Sequence, residues 1–491
     1  MISRRTFLAA TGVAAGWSQE TGKPRPKPEG VLVNDLHSQL NTTRVFRILT
    51  PDSVDAVRNA LKLARTEGRP ICVAGGRHAM GGQQFATDGV LIDSRKLDKV
   101  LRFDAEHGRI EIESGLQWTQ LYDHLRSSQR GHKKQWTFAQ KPVGADLLTM
   151  GGCLSANIHG RGLALPPFIG DVESFKLIDA SGDMHLCTRH DNPELFRLAI
   201  GGYGLFGFIY SVTLRLVPRR KVQRVVESRS LDGLIGAFGE RIREGHLYGD
   251  FQCAVDSKAD DFLRRGILAC DRPLPDNSPV PPAPKALTEA EQVERMVLAH
   301  SDQGAAFRRM LSDQQALSGQ GIWSDELQMT PYPEGYHREV ERRLQAPKGS
   351  EMIGEFTCER EALDPFMNDL RQYALREKVE IIGGSVRLIE RDDESFLPWA
   401  RNPYACISLN LHIEHSTRGL IRAGDWFRKL IDISLRHGGS WYLTYHRHAL
   451  RRQVEAAYPQ FADFLKLKRK YDPGEVFQSD WYRHYKSMFS R

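Results

Sequence analysis

Apolar residues recur at strand and helix spacing through the first 220 residues. A short strand at residue 45 precedes a helix that begins at 51–53 and carries Val57, Leu61 and Ala64 on one face. Further strand-like runs lie at 70–74, 89–93, 109–114, 174–179 and 208–217. Residues typical of turns separate most of these runs. The pattern predicts one α+β segment built on a mixed sheet with few helices.

A second clear pattern covers residues 404–414. Apolar residues occupy the odd positions from 407 to 413, and the even positions carry Cys406, Ser408, Asn410, His412 and Glu414. This alternation predicts a strand with one apolar and one polar face. The polar face either meets solvent or lies over a ligand, in which case Asn410 and His412 contact substrate. Upstream, residues 287–346 favour helix, and six prolines between Pro273 and Pro284 predict an exposed linker.

Length and composition restrict the class of protein. A chain of 491 residues with 41% hydrophobic content can bury a large core and predicts two or three domains. The net charge of +7 comes from 68 basic and 61 acidic residues that are scattered along the chain, so nucleic-acid binding is not favoured. Seven cysteines without a C-x-x-C pair indicate neither a zinc ribbon nor a disulfide framework, although one or two bridges stay open.

The N-terminus resembles a twin-arginine export signal. Arg4 and Arg5 precede an apolar stretch that ends at Gly16 and is about half the length that a membrane span needs. The segment is therefore excluded from the fold, and we expect a periplasmic or exported protein. The alternative is a chance pair of arginines.

Two glycine-rich segments carry the first candidate chemistry. Glycine lets backbone N–H groups approach phosphate oxygens, and an arginine adds positive charge. The first segment, 73–83, offers Gly75, Gly76, Arg77, His78, Ala79, Gly82 and Gln83. The second segment, 144–160, offers Gly144, Thr149, Gly151, Gly152, Ser155, Asn157 and Gly160. Each could be a tightly packed turn, but together they predict a ligand held between two segments of one domain.

A third glycine cluster, at residues 202–207, matches the G-x-G-x-x-G pattern. A dinucleotide fingerprint follows a strand and opens a helix, whereas this segment follows the helical residues 192–198 and leads into a strand at 208. A nicotinamide site of this kind is therefore not favoured. Ile209, in the following strand, is kept as a candidate cofactor contact.

The order of these motifs resembles the vanillyl-alcohol oxidase and para-cresol methylhydroxylase (PCMH) superfamily over residues 40–220. The resemblance implies FAD and an α+β fold, in which a two-subdomain PCMH-type FAD-binding domain meets an α+β substrate domain whose antiparallel sheet roofs the flavin. Residues 468–477 are similar to a C-terminal element that returns to the flavin domain there. The implied division is a signal and linker (1–30), the FAD domain (40–220), the substrate domain (221–445) and the returning segment (446–491).

Different segments of the chain resemble different subfamilies. The spacing from His78 to Gln83 is similar to cytokinin dehydrogenases, and sugar-alcohol oxidases, a group that this chain resembles together with the aldonolactone oxidases, place a histidine similarly. This implies covalent FAD through His78, with a non-covalent loop histidine as the alternative. Residues 158–161, which include His159 and Arg161, resemble a segment of decaprenylphosphoryl-ribose oxidases. Cys406 lies in a strand similar to theirs, and Tyr445 replaces their lysine.

The implied function is FAD-dependent oxidation of a CH–OH group of an alcohol, polyol, sugar or lactone, with oxygen or another acceptor taking the electrons. The candidate general bases are Tyr445, His446, His412 and His159. Weaker candidates for substrate contact are Asn410, Cys406 and Arg161. No metal site is predicted, because the pair His446 and His448 lacks a third ligand of matching spacing. The alternatives are a flavin reductase using a nicotinamide donor, a CH–NH dehydrogenase, and a non-catalytic flavin-binding protein.

Overall fold

The computed structural model describes residues 30–280, 287–331 and 333–490. The twin-arginine motif and the apolar stretch after it lie outside the described residues, as do positions 281–286 of the proline-rich stretch. Among the residues that are described, no helix combines the length and the hydropathy needed to cross a bilayer.

Twelve strands of the first half form two larger sheets and two two-stranded sheets. The strands are β1 (Val31–Val33), β2 (Thr43–Val45), β3 (Arg47–Leu49), β4 (Ile71–Ala74), β5 (Val90–Asp93), β6 (Val100–Asp104), β7 (Arg109–Glu113), β8 (Trp136–Thr137), β9 (Val172–Ile178), β10 (Met184–Cys187), β11 (Phe208–Arg215) and β12 (Val217–Pro218). Strands β3, β5 and β4 pair in parallel, whereas β10, β9, β11, β7 and β6 form an antiparallel sheet in that order. The small sheets pair β1 with β2 and β8 with β12. The helices are α1 (Val54–Thr66), α2 (Trp118–Ser128), α3 (Met150–Ala156) and α4 (Pro193–Ala199).

The prediction of one mixed sheet is wrong, although its strands and the helix after residue 53 are confirmed. Helix α1 crosses over between β3 and β4, and such a crossover allows parallel pairing. Ser53 caps this helix by accepting a hydrogen bond from the Ala56 N–H. In the antiparallel sheet, short turns join β6 to β7 and β9 to β10, so each of these pairs is a hairpin. Strand β11 joins the two hairpins by pairing with β7 and β9.

A seven-stranded antiparallel sheet dominates the second half, in the order β16, β13, β15, β14, β18, β19, β17. Its strands are β13 (Lys221–Ser230), β14 (Tyr248–Cys253), β15 (Arg265–Pro273), β16 (Gly321–Trp323), β17 (Gly349–Glu359), β18 (Ile381–Ile389) and β19 (Tyr404–Glu414). The helices are α5 (Leu234–Arg243), α6 (Glu289–Ser301), α7 (Gln303–Ala316), α8 (Tyr336–Leu344), α9 (Leu363–Glu377), α10 (Thr417–Arg436), α11 (Arg451–Ala457), α12 (Phe461–Tyr471) and α13 (Asp480–Phe489). The predicted strand at 404–414 and the helical character of 287–346 are confirmed.

The C-terminal segment returns to the parallel sheet. A buried ion pair between Lys468 and Asp472 lies at the end of α12. The Asp472 carboxylate also accepts hydrogen bonds from the backbone N–H groups of Val476 and Phe477. This fixed turn lets Phe477 bridge to Ile71 in β4. All seven cysteines are buried and unpaired in the described chain, so the open alternative of disulfide bridges is not realised there.

Candidate functional site

A cavity of about 460 Å³ lies where the glycine-rich segments meet the seven-stranded sheet. It is open enough to admit a ligand and too large for a packing defect. Of the residues predicted to hold a cofactor, those that line it are Gly75, Gly76, Arg77, His78, Ala79, Gln83, Gly144, Thr149, Gly151, Gly152, Ser155 and Ile209. The structure therefore brings together segments that are far apart in the sequence.

The absence of side chains explains why the two glycine-rich segments approach so closely. A Cβ atom on Gly75 would lie 1.9 Å from Oγ1 of Thr149, and one on Gly76 would lie 2.2 Å from the carbonyl oxygen of Leu147. Neither distance is compatible with a side chain. Gln83 connects the first segment to the turn at residues 443–444 on the opposite wall, because its Nε2 donates to the carbonyl oxygen of Thr444 at 2.8 Å.

The glycine-rich wall fits the diphosphate and ribityl groups of FAD. The hydroxyl oxygens of Ser114 and Thr149 are buried, line the cavity and have no hydrogen-bond partner among the described residues. Nε of Arg77 is also buried and has no hydrogen-bond partner among the described residues, whereas Nη2 of the same guanidinium lies 3.5 Å from Oδ2 of Asp93. Buried polar groups are seldom left unsatisfied in native proteins. A polar ligand with several acceptor oxygens would satisfy these hydroxyl groups and this guanidinium together.

His78 lies in the cavity wall and contacts a second histidine. Its Nδ1 is 2.7 Å from Nε2 of His37, which also lines the cavity. Burial, followed by the nearby His37, lowers the pKa of His78 to about 3, so the imidazole is neutral at physiological pH. A neutral ring retains a nucleophilic lone pair.

Three predicted cofactor residues do not line the cavity. Gly82 lies against the guanidinium of Arg447. The side chain of Asn157 hydrogen-bonds to Asp392 and to the backbone N–H of Ile169, so it holds the end of α3 in place. Gly160 allows close packing, because a Cβ there would lie 2.9 Å from the carbonyl oxygen of Lys141.

The opposite wall is built around Glu355, a buried carboxylate on β17. Nε2 of His159 lies 3.0 Å from its Oε2, and the Tyr445 hydroxyl hydrogen-bonds to the same carboxylate. The Arg387 guanidinium is 4.0 Å away. All four side chains line the cavity. Rings of Trp399 and Tyr442 pack against His159 at 5.0 and 6.2 Å and fix its imidazole.

The protonation states in this cluster follow from its geometry. Burial opposes ionisation of Glu355, but His159 and Arg387 outweigh it and lower the pKa of this carboxyl below its usual value. Burial and the Glu355 charge raise the pKa of Tyr445 well above its usual value, so Tyr445 stays a hydroxyl donor. The same two causes raise the pKa of Cys406, whose Sγ lies within 4.8 Å of the His159 and Glu355 ligand atoms. Cys406 is therefore a thiol.

The middle of the polar face of β19, at Ser408 and Asn410, points into the cavity. Ser408 and Asn410 line the wall, together with Gln252 and Ser385 on neighbouring strands. Gly383, opposite Asn410, leaves space, because a Cβ there would still be 3.4 Å from the Asn410 amide nitrogen. These groups offer hydroxyl and amide hydrogen bonds to a ligand.

Three other candidates lie elsewhere. The His446 ring is buried beside His448, at 5.8 Å between ring centroids, and does not line the cavity. His412 belongs to a separate cluster around Glu351. Arg161 donates to the Leu327 carbonyl oxygen at 2.9 Å and pairs with Asp250, which is a structural arrangement.

Sequence reasoning missed Glu355, Arg387, Ser385 and Gln252. Each stands in a strand that mixes polar and apolar residues without a recognisable motif. Glu355 is one of three glutamates in β17, and the sequence does not show that Glu355 is buried whereas Glu359 is exposed. Its partners come from other strands, so only the sheet pairing reveals the cluster.

Comparison with known proteins gives two family matches. Residues 47–188 match a family described as FAD binding domain, and residues 350–485 match the D-arabinono-1,4-lactone oxidase family. The first match covers most of the glycine-rich wall, and the second covers Glu355, Arg387, Asn410 and Tyr445. The two matches together cover most of the cavity lining, although His159 of the opposite wall lies within the first match and Gln252 lies in neither.

Individual relatives are similar over parts of the chain. L-gulonolactone oxidase of Bos taurus is 27% identical over 199 residues, which are 40% of this chain and 43% of the relative. L-galactono-1,4-lactone dehydrogenase 1 of Oryza sativa subsp. japonica is 30% identical over 39% of this chain and 32% of the relative. An uncharacterised oxidoreductase of Rhodococcoides fascians is 27% identical over 56% of this chain and 61% of the relative. The chain thus spans less than two thirds of each of these relatives.

Proposed function

Since the chain belongs to the FAD-linked oxidases and dehydrogenases of the vanillyl-alcohol oxidase and PCMH superfamily, we propose that it oxidises a CH–OH group of a sugar-derived lactone, sugar or polyol. FAD is its cofactor, and bound FAD supplies a ring that accepts a hydride from the substrate carbon. The observation that carries the proposal is the cavity itself, which joins a glycine-rich wall to a wall holding a paired imidazole and carboxylate.

The glycine-rich wall would hold the cofactor. Backbone groups of Gly75, Gly76 and Gly152 lie where phosphate oxygens can approach, and the hydroxyl groups of Ser114 and Thr149 supply further hydrogen bonds. His78 is the proposed point of covalent attachment, since it is a neutral imidazole in the cavity wall. Acid precipitation tests this attachment: the flavin should stay with the wild-type protein and be released from His78→Ala. Release from the wild type refutes the covalent bond but not the cofactor.

The pair of His159 and Glu355 would accept the proton of the substrate hydroxyl. A carboxylate accepts hydrogen bonds, so Nε2 of His159 carries the proton and its Nδ1 carries the lone pair. Nδ1 is buried and has no hydrogen-bond partner within the described chain. We assign Nδ1 as the proton acceptor, with the Glu355 charge stabilising the imidazolium that forms.

Arg387 and Tyr445 would support this pair without taking the proton. Arg387 keeps Glu355 ionised by its positive charge, and Tyr445 donates a hydrogen bond to the carboxylate. Substrate hydroxyl groups would be recognised by Gln252, Ser385, Ser408 and Asn410, because a wall of short polar side chains suits a polyhydroxylated molecule. Relatives named as lactone oxidases and lactone dehydrogenases support a lactone or a related sugar derivative.

A substrate panel tests the function. The purified flavoprotein is assayed with aldono-1,4-lactones, their parent sugars and polyols, using oxygen and an artificial electron acceptor in separate reactions. We expect the highest kcat/KM for a lactone or sugar derivative, and the two acceptors separate an oxidase from a dehydrogenase. Turnover only with NADPH or with an amine would replace the proposal by one of the alternative functions. Export by the twin-arginine route is a separate proposal, which a periplasmic fractionation tests.

A further inference from the structure

A second cluster of titratable groups lies outside the cavity, around Glu351 on β17. The carboxylate is 4% exposed. Its Oε1 lies 2.7 Å from Nε2 of His300, which is on α6, and 3.3 Å from Nδ1 of His412 on β19. The three ligand atoms lie within 4.8 Å of one another. Two imidazoles and one carboxylate oxygen thus converge on one point.

The orientation of the His300 ring is fixed by its other nitrogen. Nδ1 lies 2.8 Å from the carbonyl oxygen of Met296 and donates to it. In the neutral ring, Nε2 then has a lone pair and faces a carboxylate oxygen, which has only lone pairs. A carboxylate oxygen 2.7 Å from Nε2 therefore requires a positive centre at this nitrogen, either a second ring proton on His300 or a metal ion that replaces that proton. A histidine that donates its second N–H to a backbone carbonyl is the usual arrangement of a metal ligand.

The other carboxylate oxygen, Oε2, is held by a separate set of donors. The hydroxyl of Tyr336 hydrogen-bonds to it, and Nδ1 of His337 lies 2.8 Å from it. Both residues are on α8 and are buried. The carboxylate is thereby oriented with Oε2 occupied and Oε1 directed to His300 and His412. Hydrogen-bonded outer partners of this kind orient the carboxylates of metal sites.

The spacing suits a small divalent ion. Zinc binds imidazole nitrogen and carboxylate oxygen at about 2.0–2.2 Å in tetrahedral geometry, which separates neighbouring ligand atoms by roughly 3.3 Å. The contact from His412 to Glu351 already has that length, 3.3 Å. The contact from His300 must lengthen by about 0.6 Å, which a small ring movement provides.

We propose that His300, Glu351 and His412 bind one divalent transition-metal ion of the Zn²⁺ class, with a water molecule as the fourth ligand. The ion joins α6 to β17 and β19 and so fixes the helical segment against the sheet. Ile353, two residues beyond Glu351 on the same face of β17, lines the cavity. The ion therefore holds the sheet next to the cavity and takes no part in the redox chemistry. The ligands extend from residue 300 to residue 412, so no sequence motif indicates this site.

The test uses the full-length, FAD-loaded protein without an affinity tag. After treatment with a chelator and dialysis, the protein is titrated with Zn²⁺ and with Co²⁺. We expect one equivalent of either ion per chain, a ligand-field spectrum of four-coordinate Co²⁺, and a higher Tm with Zn²⁺ bound. His412→Ala should weaken Zn²⁺ binding by about 100-fold or more, because loss of a direct ligand costs at least as much as loss of an outer partner, which costs roughly 10- to 100-fold.

His107→Ala is the matched control. His107 is exposed and pairs with Asp104 at 3.0 Å. The substitution therefore also removes a histidine that lies beside a carboxylate, but at a place that is not part of the cluster around Glu351. This variant should bind Zn²⁺ as the wild type does. The proposal is overturned if the wild type binds no Co²⁺ with a four-coordinate spectrum, or if His412→Ala binds Zn²⁺ as tightly as the control. The wild-type Co²⁺ spectrum decides the matter even if the variant does not fold.

Discussion

Replacing Glu355 by glutamine tests the proposed proton transfer most sharply. The substitution preserves the shape of the side chain but removes the negative charge beside His159. The amide can still accept a hydrogen bond from Nε2 of His159 and from the Tyr445 hydroxyl. The imidazolium formed on proton transfer, however, loses its counter-charge and keeps the Arg387 cation nearby. The change therefore acts mainly on the proton-accepting step.

The expected magnitude follows from the distance. A unit charge 3.0 Å from the imidazolium contributes about 5 kcal/mol at an effective dielectric constant of about 20. That energy corresponds to roughly 10⁴ in rate, since each 1.36 kcal/mol is tenfold. Relaxation and water reduce it, so we expect the rate of flavin reduction to fall by about 10²–10⁴, within the usual range for general-base catalysis. KM should change much less than kcat.

The assay is anaerobic stopped-flow reduction of the bound flavin by the best substrate of the panel. Asp271→Asn is the control, because Asp271 is buried in the same sheet, pairs with Arg224 at 3.0 Å and does not line the cavity. It should lower Tm while leaving the reduction rate within a few-fold of wild type. The proposed role of Glu355 is excluded if Glu355→Gln with full FAD content reduces its flavin at the wild-type rate, or if both variants lose rate equally.

Three further predictions concern substrate binding, the buried ion pair and pH. Asn410→Leu should raise KM by about tenfold, the value of one lost hydrogen bond, and an unchanged KM in steady-state assays would exclude Asn410 from the binding wall. Lys468→Met leaves Asp472 buried without its cation and should lower the free energy of unfolding by about 3–5 kcal/mol, whereas Lys466→Met, which removes an exposed pair, should cost about 1 kcal/mol or less; equal Tm shifts contradict this. Burial, with His448 and Arg447, holds the pKa of His446 well below its usual value, so only the unfolded chain takes up this proton below about pH 6.5 and stability falls as pH falls. His446→Phe should flatten the decline of Tm between about pH 7 and 5, and an unchanged slope would show that His446 does not contribute.

Local patterns predict individual elements well in this chain. The helix after Ser53 begins at its capping residue, and the alternation over residues 404–414 gives the strand with both ends correct. The arrangement of strands is not local. Whether β3, β4 and β5 join the later strands in one sheet depends on how the strands are connected, by crossovers or by hairpins. The alternation of apolar residues along each strand is the same for one sheet or two, so it cannot predict the arrangement.

The same distinction separates the two walls of the cavity. The glycine-rich wall comes from two contiguous segments, 73–83 and 144–160. Local sequence therefore predicts most of its residues. The opposite wall is assembled from β14, β17, β18 and β19, and each strand contributes one or two polar side chains. Glu355 acquires its chemistry from Arg387, Tyr445 and His159, and His159 lies almost 200 residues earlier in the chain. His446 and His412 carry suitable chemistry but face other parts of the fold.

Anaerobic titration of the purified flavoprotein distinguishes oxidation of a CH–OH group from the alternative functions. We expect an aldonolactone, sugar or polyol to bleach the oxidised flavin spectrum with one equivalent of substrate per flavin, and the product to have lost two hydrogens. A flavin that stays oxidised with every such compound, but is bleached by NADPH, would exclude the proposed function.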